Sequence, residues 1–124
     1  MRQFTVTFFA EKDGTIPFRR WFFQQSPKVQ DKCFRSLKLL EDLGHGLRRP
    51  LADYLRDGIY ELRISHQRKN YRILYFFAGK GIVVISHGLT KENKVPEEEI
   101  DRAIKARVQY EKNYGSRAAK GILT

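Results

Sequence analysis

The chain has 124 residues, room for one domain rather than two. Hydrophobic residues make up 41% and aromatics 13%, which excludes a disordered chain and supplies a core. Lys and Arg number 24 against 14 Asp and Glu, a net charge of +10 that points to a polyanionic partner: nucleic acid, an anionic membrane surface or an acidic protein.

Residues 4–10, FTVTFFA, are β-branched and aromatic and read as a strand, with Phe4, Val6 and Phe8 on one face. EKDGT breaks it. Thr15 is a candidate cap for a first helix, with Pro17 in its first turn and Phe18, Trp21 and Phe22 at helical spacing. Ser26 and Pro27 open a second helix, in which Val29, Cys33, Leu37 and Leu40 form an apolar stripe that Gly44 terminates. Cys33 sits inside that stripe and reads as a buried hydrophobe without a catalytic role. As the one cysteine, it excludes an internal disulfide and a CxxC zinc site, which fits a reducing compartment.

Residues 44–58 read as a connection. Three strands follow at 59–65, 71–78 and 82–87, an antiparallel meander with a basic turn HQRKN and a tight turn at Gly79–Gly81. The last helix starts near Pro96. Glu97, Glu98, Glu99 and Asp101 crowd its first turns, where the macrodipole favours anions, and Ile100, Ala103, Ile104 and Val108 are its expected buried stripe. Glu98–Arg102 and Asp101–Lys105 are i,i+4 pairs of favourable orientation. The layout is α+β, β-α-α-β-β-β-α, one domain over residues 1–114 with a flexible tail at 115–124. No run of about 18 apolar residues predicts a membrane helix. Glu11 and Asp13 come too early for a signal peptide, so the expected location is cytoplasmic.

In strand 59–65, alternation places Tyr60, Leu62 and Ile64 against the helices and turns Glu61 and Arg63 to an outward face. Arg72 of the next strand falls on that same face. Two guanidiniums side by side repel, and a phosphate between them removes that cost. The competing reading pairs Arg63 with Glu61 or Asp57, and Arg72 with a helix carboxylate. His87, at a strand end, is a candidate acid or base, or else a half-buried histidine bonded to a carbonyl. Lys91 and Lys94 follow in a loop where an ammonium can reach a phosphate or stand solvated. His66-Gln67-Arg68-Lys69 is a basic tip that could touch a nucleic-acid backbone, or a solvated turn. No metal-ligand spacing and no phosphate-loop, dinucleotide or nucleophile-elbow motif is present. A nuclease built on these residues needs no metal. It would use the substrate's own 2′-hydroxyl, which makes RNA the expected substrate.

The runs PLADYLRDGIYELRI, YRILYFF and GIVVISHGLTKENKVPEEEIDRAIKAR resemble the phage-derived, HigB-like branch of the RelE/ParE toxin superfamily, over about residues 4–112. The resemblance implies a small RelE-like fold: an antiparallel sheet with an N-terminal helical hairpin and a C-terminal helix. It implies the toxin of a type II toxin–antitoxin pair, a ribosome-dependent mRNA endoribonuclease held in check by a helix-turn-helix antitoxin. Carried over residue by residue, it makes Arg63 and Arg72 phosphate-contacting cations and Glu61 a base or a partner of Arg63. His87 becomes the acid or base and Lys91 an electrostatic or proton-transfer group. Arg48, Arg49, Arg68, Lys69 and Lys94 are expected to engage RNA backbone, with no cofactor and no membrane. Leu89 stands where the branch prefers Phe, Glu92 where it has a second Lys, and the start of the last helix lacks the tyrosine that some relatives carry there. These departures support a second reading, a non-cleaving binding module. Gyrase inhibition in the ParE manner is the third, since fold alone does not choose the target.

Overall fold

The structure, a computed structural model, describes residues 3–90, 93–112 and 118–120. The chain runs β1 (Thr5–Phe9), α1 (Pro17–Phe22), α2 (Pro27–Leu43), a 3₁₀ turn (Gly44–Gly46), β2 (Ala52–Arg56), β3 (Ile59–His66), β4 (Lys69–Phe77), β5 (Ile82–Thr90), α3 (Glu97–Lys112) and β6 (Ala118–Lys120). The strands form one sheet in the order β2-β3-β4-β5-β1-β6. The fold is α+β, as the sequence predicts, with the antiparallel meander β3-β4-β5 at its centre.

Both helices of the N-terminal hairpin lie on one face of the sheet. Phe18 and Phe22 of α1 and Val29, Cys33, Leu37 and Leu40 of α2 pack there on Leu62, Ile64, Ile73, Tyr75, Val83 and Ile85. Ser26 caps α2 through its Oγ, which accepts the Val29 N–H at 3.3 Å, with Pro27 at the first helical position. Gly44 ends α2 at φ +48°, and a Cβ there would collide with the Phe4 ring. On the opposite face, Ile100, Ala103, Ala106 and Tyr110 of α3 cover Ile59, Leu74, Phe76 and Val84. Burial pushes the Cys33 thiol up to about 12, consistent with an inert core residue.

Several expectations are corrected. The stretch 44–58 contains β2, because Asp57-Gly58, with φ of +51° and +82°, makes a two-residue hairpin turn into β3. The turn HQRKN is shorter than expected: β3 and β4 pair through His66 and Lys69, leaving only Gln67 and Arg68, both at positive φ. β1 pairs parallel to β5, so the sheet is mixed. Thr15 does not cap α1. The N-cap is Ile16, and the Thr15 N–H donates to Asp13 Oδ1 at 2.9 Å. In α3 the buried stripe runs Ile100, Ala103, Ala106, Tyr110, which turns Val108 out to 43% exposure. Asp101 pairs with Arg56. Of the tail expected to be flexible, residues 118–120 form β6 against β1, and the remainder lies outside the described residues.

One irregularity positions functional side chains. The β4–β5 register shifts between Leu74 and Tyr75, which oppose His87 and Ile85, so Ser86 is a bulge residue. Before the bulge, Val83 and Ile85 face α1 and α2; after it His87 faces α3 and Gly88 faces Trp21. A Cβ at Gly88 would stand inside van der Waals contact with the Trp21 ring. Gly88→Ala is therefore expected to destabilise the fold by about 1–3 kcal/mol. Urea unfolding checks this through a lower midpoint at unchanged slope.

Candidate phosphate-binding cleft

β3 and β4 meet with Arg63 directly opposite Arg72, the adjacency that alternation predicts. The face is not open, however. α3 and residues 93–95 cover part of it, and Glu61 is 1% exposed. Its carboxylate binds both guanidiniums: Arg63 Nε donates to Oε2 at 2.9 Å and Arg72 Nη1 to Oε1 at 2.6 Å. One buried anion thus holds two cations side by side and removes the repulsion between them. Arg72 also donates to the Asn93 carbonyl at 3.2 Å, tying the 93–95 segment to the sheet. Its side chain is 12% exposed, against 37% for Arg63, so Arg63 is the guanidinium that reaches solvent.

Asp53, opposite Glu61 on β2, extends the network. Its Oδ2 accepts Arg63 Nη2 at 3.1 Å and Arg49 Nε at 3.0 Å. Arg56 closes the far side, bound to Asp57, Glu97 and Asp101 at 2.8 Å each, which joins the β2–β3 hairpin to the start of α3. Between these walls lies a cleft of about 410 Å³, bordered by Asp53, Tyr54, Arg63, Arg72, Lys94 and Glu97 among others. It offers guanidinium and ammonium donors at its mouth and a salt-bridged carboxylate at its floor. That arrangement suits a tetrahedral oxyanion held by charge-assisted hydrogen bonds.

The remaining predicted residues divide. Lys94 borders the cleft, and Arg49 joins it through Asp53. Arg48 is exposed in the same link. Arg68 and Lys69 are exposed at the β3–β4 tip and do not line the cleft. Lys91, with Glu92, lies outside the described residues.

His87 does not line the cleft either. It opposes Leu74, which opposes Glu61, so two interstrand spacings, roughly 10 Å, separate it from that carboxylate. The ring is 1% exposed beneath α3. Its Nε2 lies 2.8 Å from Glu99 Oε1 and its Nδ1 2.7 Å from Ser86 Oγ. With Nε2–H donating to Glu99, Nδ1 accepts the Ser86 hydroxyl proton. Burial, reinforced by the Arg102 charge, lowers the pKa of His87 to about 4 despite Glu99. The half-buried structural histidine was the competing reading, with a carbonyl as partner; the partners here are a hydroxyl and a carboxylate. A histidine neutral when folded takes up its proton only on unfolding once pH drops below about 6.5. Stability is thus expected to fall as pH drops from 6.5 toward 4. His87→Gln should flatten that part of a plot of urea midpoint against pH.

The sequence reading missed Asp53, Arg56 and Tyr54 because it missed β2. The signal was Asp57-Gly58 between alternating residues, which places Asp53 opposite Glu61. Among the described residues there is no group of acidic, His or Cys side chains able to hold a metal. No described helix is long and apolar enough to cross a membrane.

A family model described as phage derived protein Gp49-like (DUF891) matches residues 20–108, which run from the second half of α1 through most of α3 and include every cleft residue named above. No curated protein matches the chain.

Proposed function

The chain belongs to the phage-derived Gp49-like family, and from that premise we propose that it is the toxin of a toxin–antitoxin pair, a metal-independent, ribosome-dependent mRNA endoribonuclease. The observation that carries the proposal is the Arg63–Arg72 pair, in direct register and clamped by Glu61 at the floor of an open cleft. In this reading the scissile phosphate lies against Arg63 and Lys94. Charge gathers on it as the neighbouring 2′-hydroxyl attacks, and pre-positioned cations stabilise that charge. Glu61 and Asp53 hold Arg63 in place, and Arg72 holds Glu61. The cleft has cations but no histidine, so its contribution is electrostatic and the ribosome must supply the alignment of the substrate. Cytoplasmic action and a helix-turn-helix antitoxin partner belong to the same proposal.

One observation favours a second reading, a binding module that does not cut: both Glu61 oxygens are engaged and His87 is bonded elsewhere. Primer extension on a defined mRNA, with and without translating ribosomes, separates the two. Cuts that appear only with ribosomes support the proposal. Cuts in both tubes mean a free ribonuclease. Their absence from both, with protein that still binds RNA, means the binding module, and DNA damage signalling with intact mRNA means a gyrase poison.

A further inference from the structure

Two carboxylates grip Arg63, and they differ. Glu61 is buried and gives each of its arginines a separate oxygen, Oε2 to Arg63 Nε at 2.9 Å and Oε1 to Arg72 Nη1 at 2.6 Å. Asp53 stands in the cleft wall with its side chain 20% exposed, and a single oxygen serves two cations. Its Oδ2 meets Arg63 Nη2 at 3.1 Å and Arg49 Nε at 3.0 Å, while Oδ1 accepts the Tyr54 N–H at 3.0 Å. The guanidiniums on Oδ2 are also the open ones, 37% exposed for Arg63 and 76% for Arg49. Each has five N–H donors, and those not yet named make no hydrogen bond with a described residue. Asp53 thus holds its pair from one oxygen, at longer distance and in contact with water, where an ion pair contributes little.

We propose that Asp53 is an internal stand-in for the RNA phosphate, whose non-bridging oxygens displace it from Arg63 and Arg49. The inference rests on the RNA reading above and adds to it a resting state that the substrate must open. Glu61 keeps Arg63 Nε throughout, so the guanidinium stays in place while Nη2 passes from carboxylate to phosphate. Arg49, released by the same step, closes on that phosphate from the β2 side. The exchange is favourable because a phosphodiester offers two charged oxygens where Asp53 offers one, so each guanidinium gains its own acceptor. It also has a cost. The displaced carboxylate remains beside the phosphate, and like charges near a protein surface repel. A polyanion that also engages Lys94 overcomes that cost, whereas free inorganic phosphate makes no second contact.

The test uses fluorescein-labelled 2′-O-methyl hexauridylate, which binds without being cut, and reads anisotropy over a range of salt concentrations. Asp53→Asn removes the charge and keeps the acceptor for the Tyr54 N–H. It is expected to bind roughly 3- to 30-fold more tightly than the wild type, the scale of removing one charge about 5 Å from a phosphate near a protein surface at moderate salt. Asp53→Ser, a second way to remove the carboxylate, should tighten binding likewise. Glu97→Gln removes a charge from the same cleft, but from a residue that is 70% exposed and paired with Arg56, and should bind within about twofold of the wild type. Arg63→Gln is expected to weaken binding and to reduce the salt slope by about one. If Asp53→Asn binds no more tightly than the wild type while Arg63→Gln still reduces the slope, Asp53 is a brace that stays in place. The exchange is then overturned and the phosphate reading stands. If Asp53→Asn and Glu97→Gln tighten binding equally, charge in the cleft explains both, and the exchange is again overturned. If Arg63→Gln leaves affinity and slope intact, the RNA lies elsewhere, and the exchange falls together with the cleft assignment. No binding by the wild type or by Asp53→Asn at low salt overturns both the exchange and the RNA reading.

Discussion

Arg63→Gln is expected to lower ribosome-dependent cleavage by roughly 100- to 1000-fold, the usual effect of removing one donor from a developing oxyanion. The fold should survive it. Arg63 is 37% exposed, and partly exposed ion pairs contribute about 1 kcal/mol or less. Glu61 keeps Arg72, and Asp53 keeps Arg49. The thermal midpoint should therefore move by only a few degrees. Arg72→Ala is a less informative variant: Arg72 is 12% exposed and also ties down Asn93, so a loss of activity there mixes chemistry with structure. A folded Arg63→Gln protein that cuts as the wild type does would remove the cleft from the mechanism.

Glu61→Leu should have the largest effect on stability. It removes the one buried anion between two guanidiniums and leaves them facing each other across β3 and β4. Breaking a buried ion pair from one side costs about 3–5 kcal/mol. For a domain of this length that is a fall in Tm of roughly 10–15 °C. The same geometry predicts a rescue. Inorganic phosphate or sulfate entering the cleft can pair with the uncompensated arginines, and a ligand that binds only the native state raises Tm as its concentration rises. Differential scanning calorimetry of Glu61→Leu with increasing phosphate should show a larger rise than the wild type gives. Equal shifts in both proteins would mean that the two arginines do not share an anion site.

What the sequence made legible was whatever alternation and capping control locally. Ser26-Pro27 started α2 and Gly44 ended it where the structure has them. Period-two spacing put Tyr60, Leu62 and Ile64 on the helix face and brought Arg63 beside Arg72. Non-local effects stayed hidden. The bulge at Ser86 changes the parity of β5, and no local pattern announces that, so His87 and Gly88 could not be assigned to faces. The parallel docking of β1 joins residues far apart in the chain. Burial of Glu61 depends on α3 and residues 93–95 folding over the face, and a strand's alternation cannot report a cover supplied from elsewhere. Asp53 and Tyr54 were legible in principle, through the Asp57-Gly58 turn.

The pairing of β1 with β5 also sets an order of events during synthesis. Thr5 lies against Ile82, so the first strand made cannot be fixed until nearly the whole sheet has left the ribosome. At about 5–20 residues per second, that wait is roughly 4–15 s. Through that interval FTVTFF is an unpaired, aromatic, uncharged segment, the kind that seeks another strand's edge. The cleft is different: Asp53, Glu61, Arg63 and Arg72 lie within 20 residues of one another on adjacent strands. The chemistry of this protein is assembled from near neighbours. Its integrity waits on the contact between β1 and β5, so a chain halted before residue 82 would carry its arginine pair on a sheet that β1 cannot yet join.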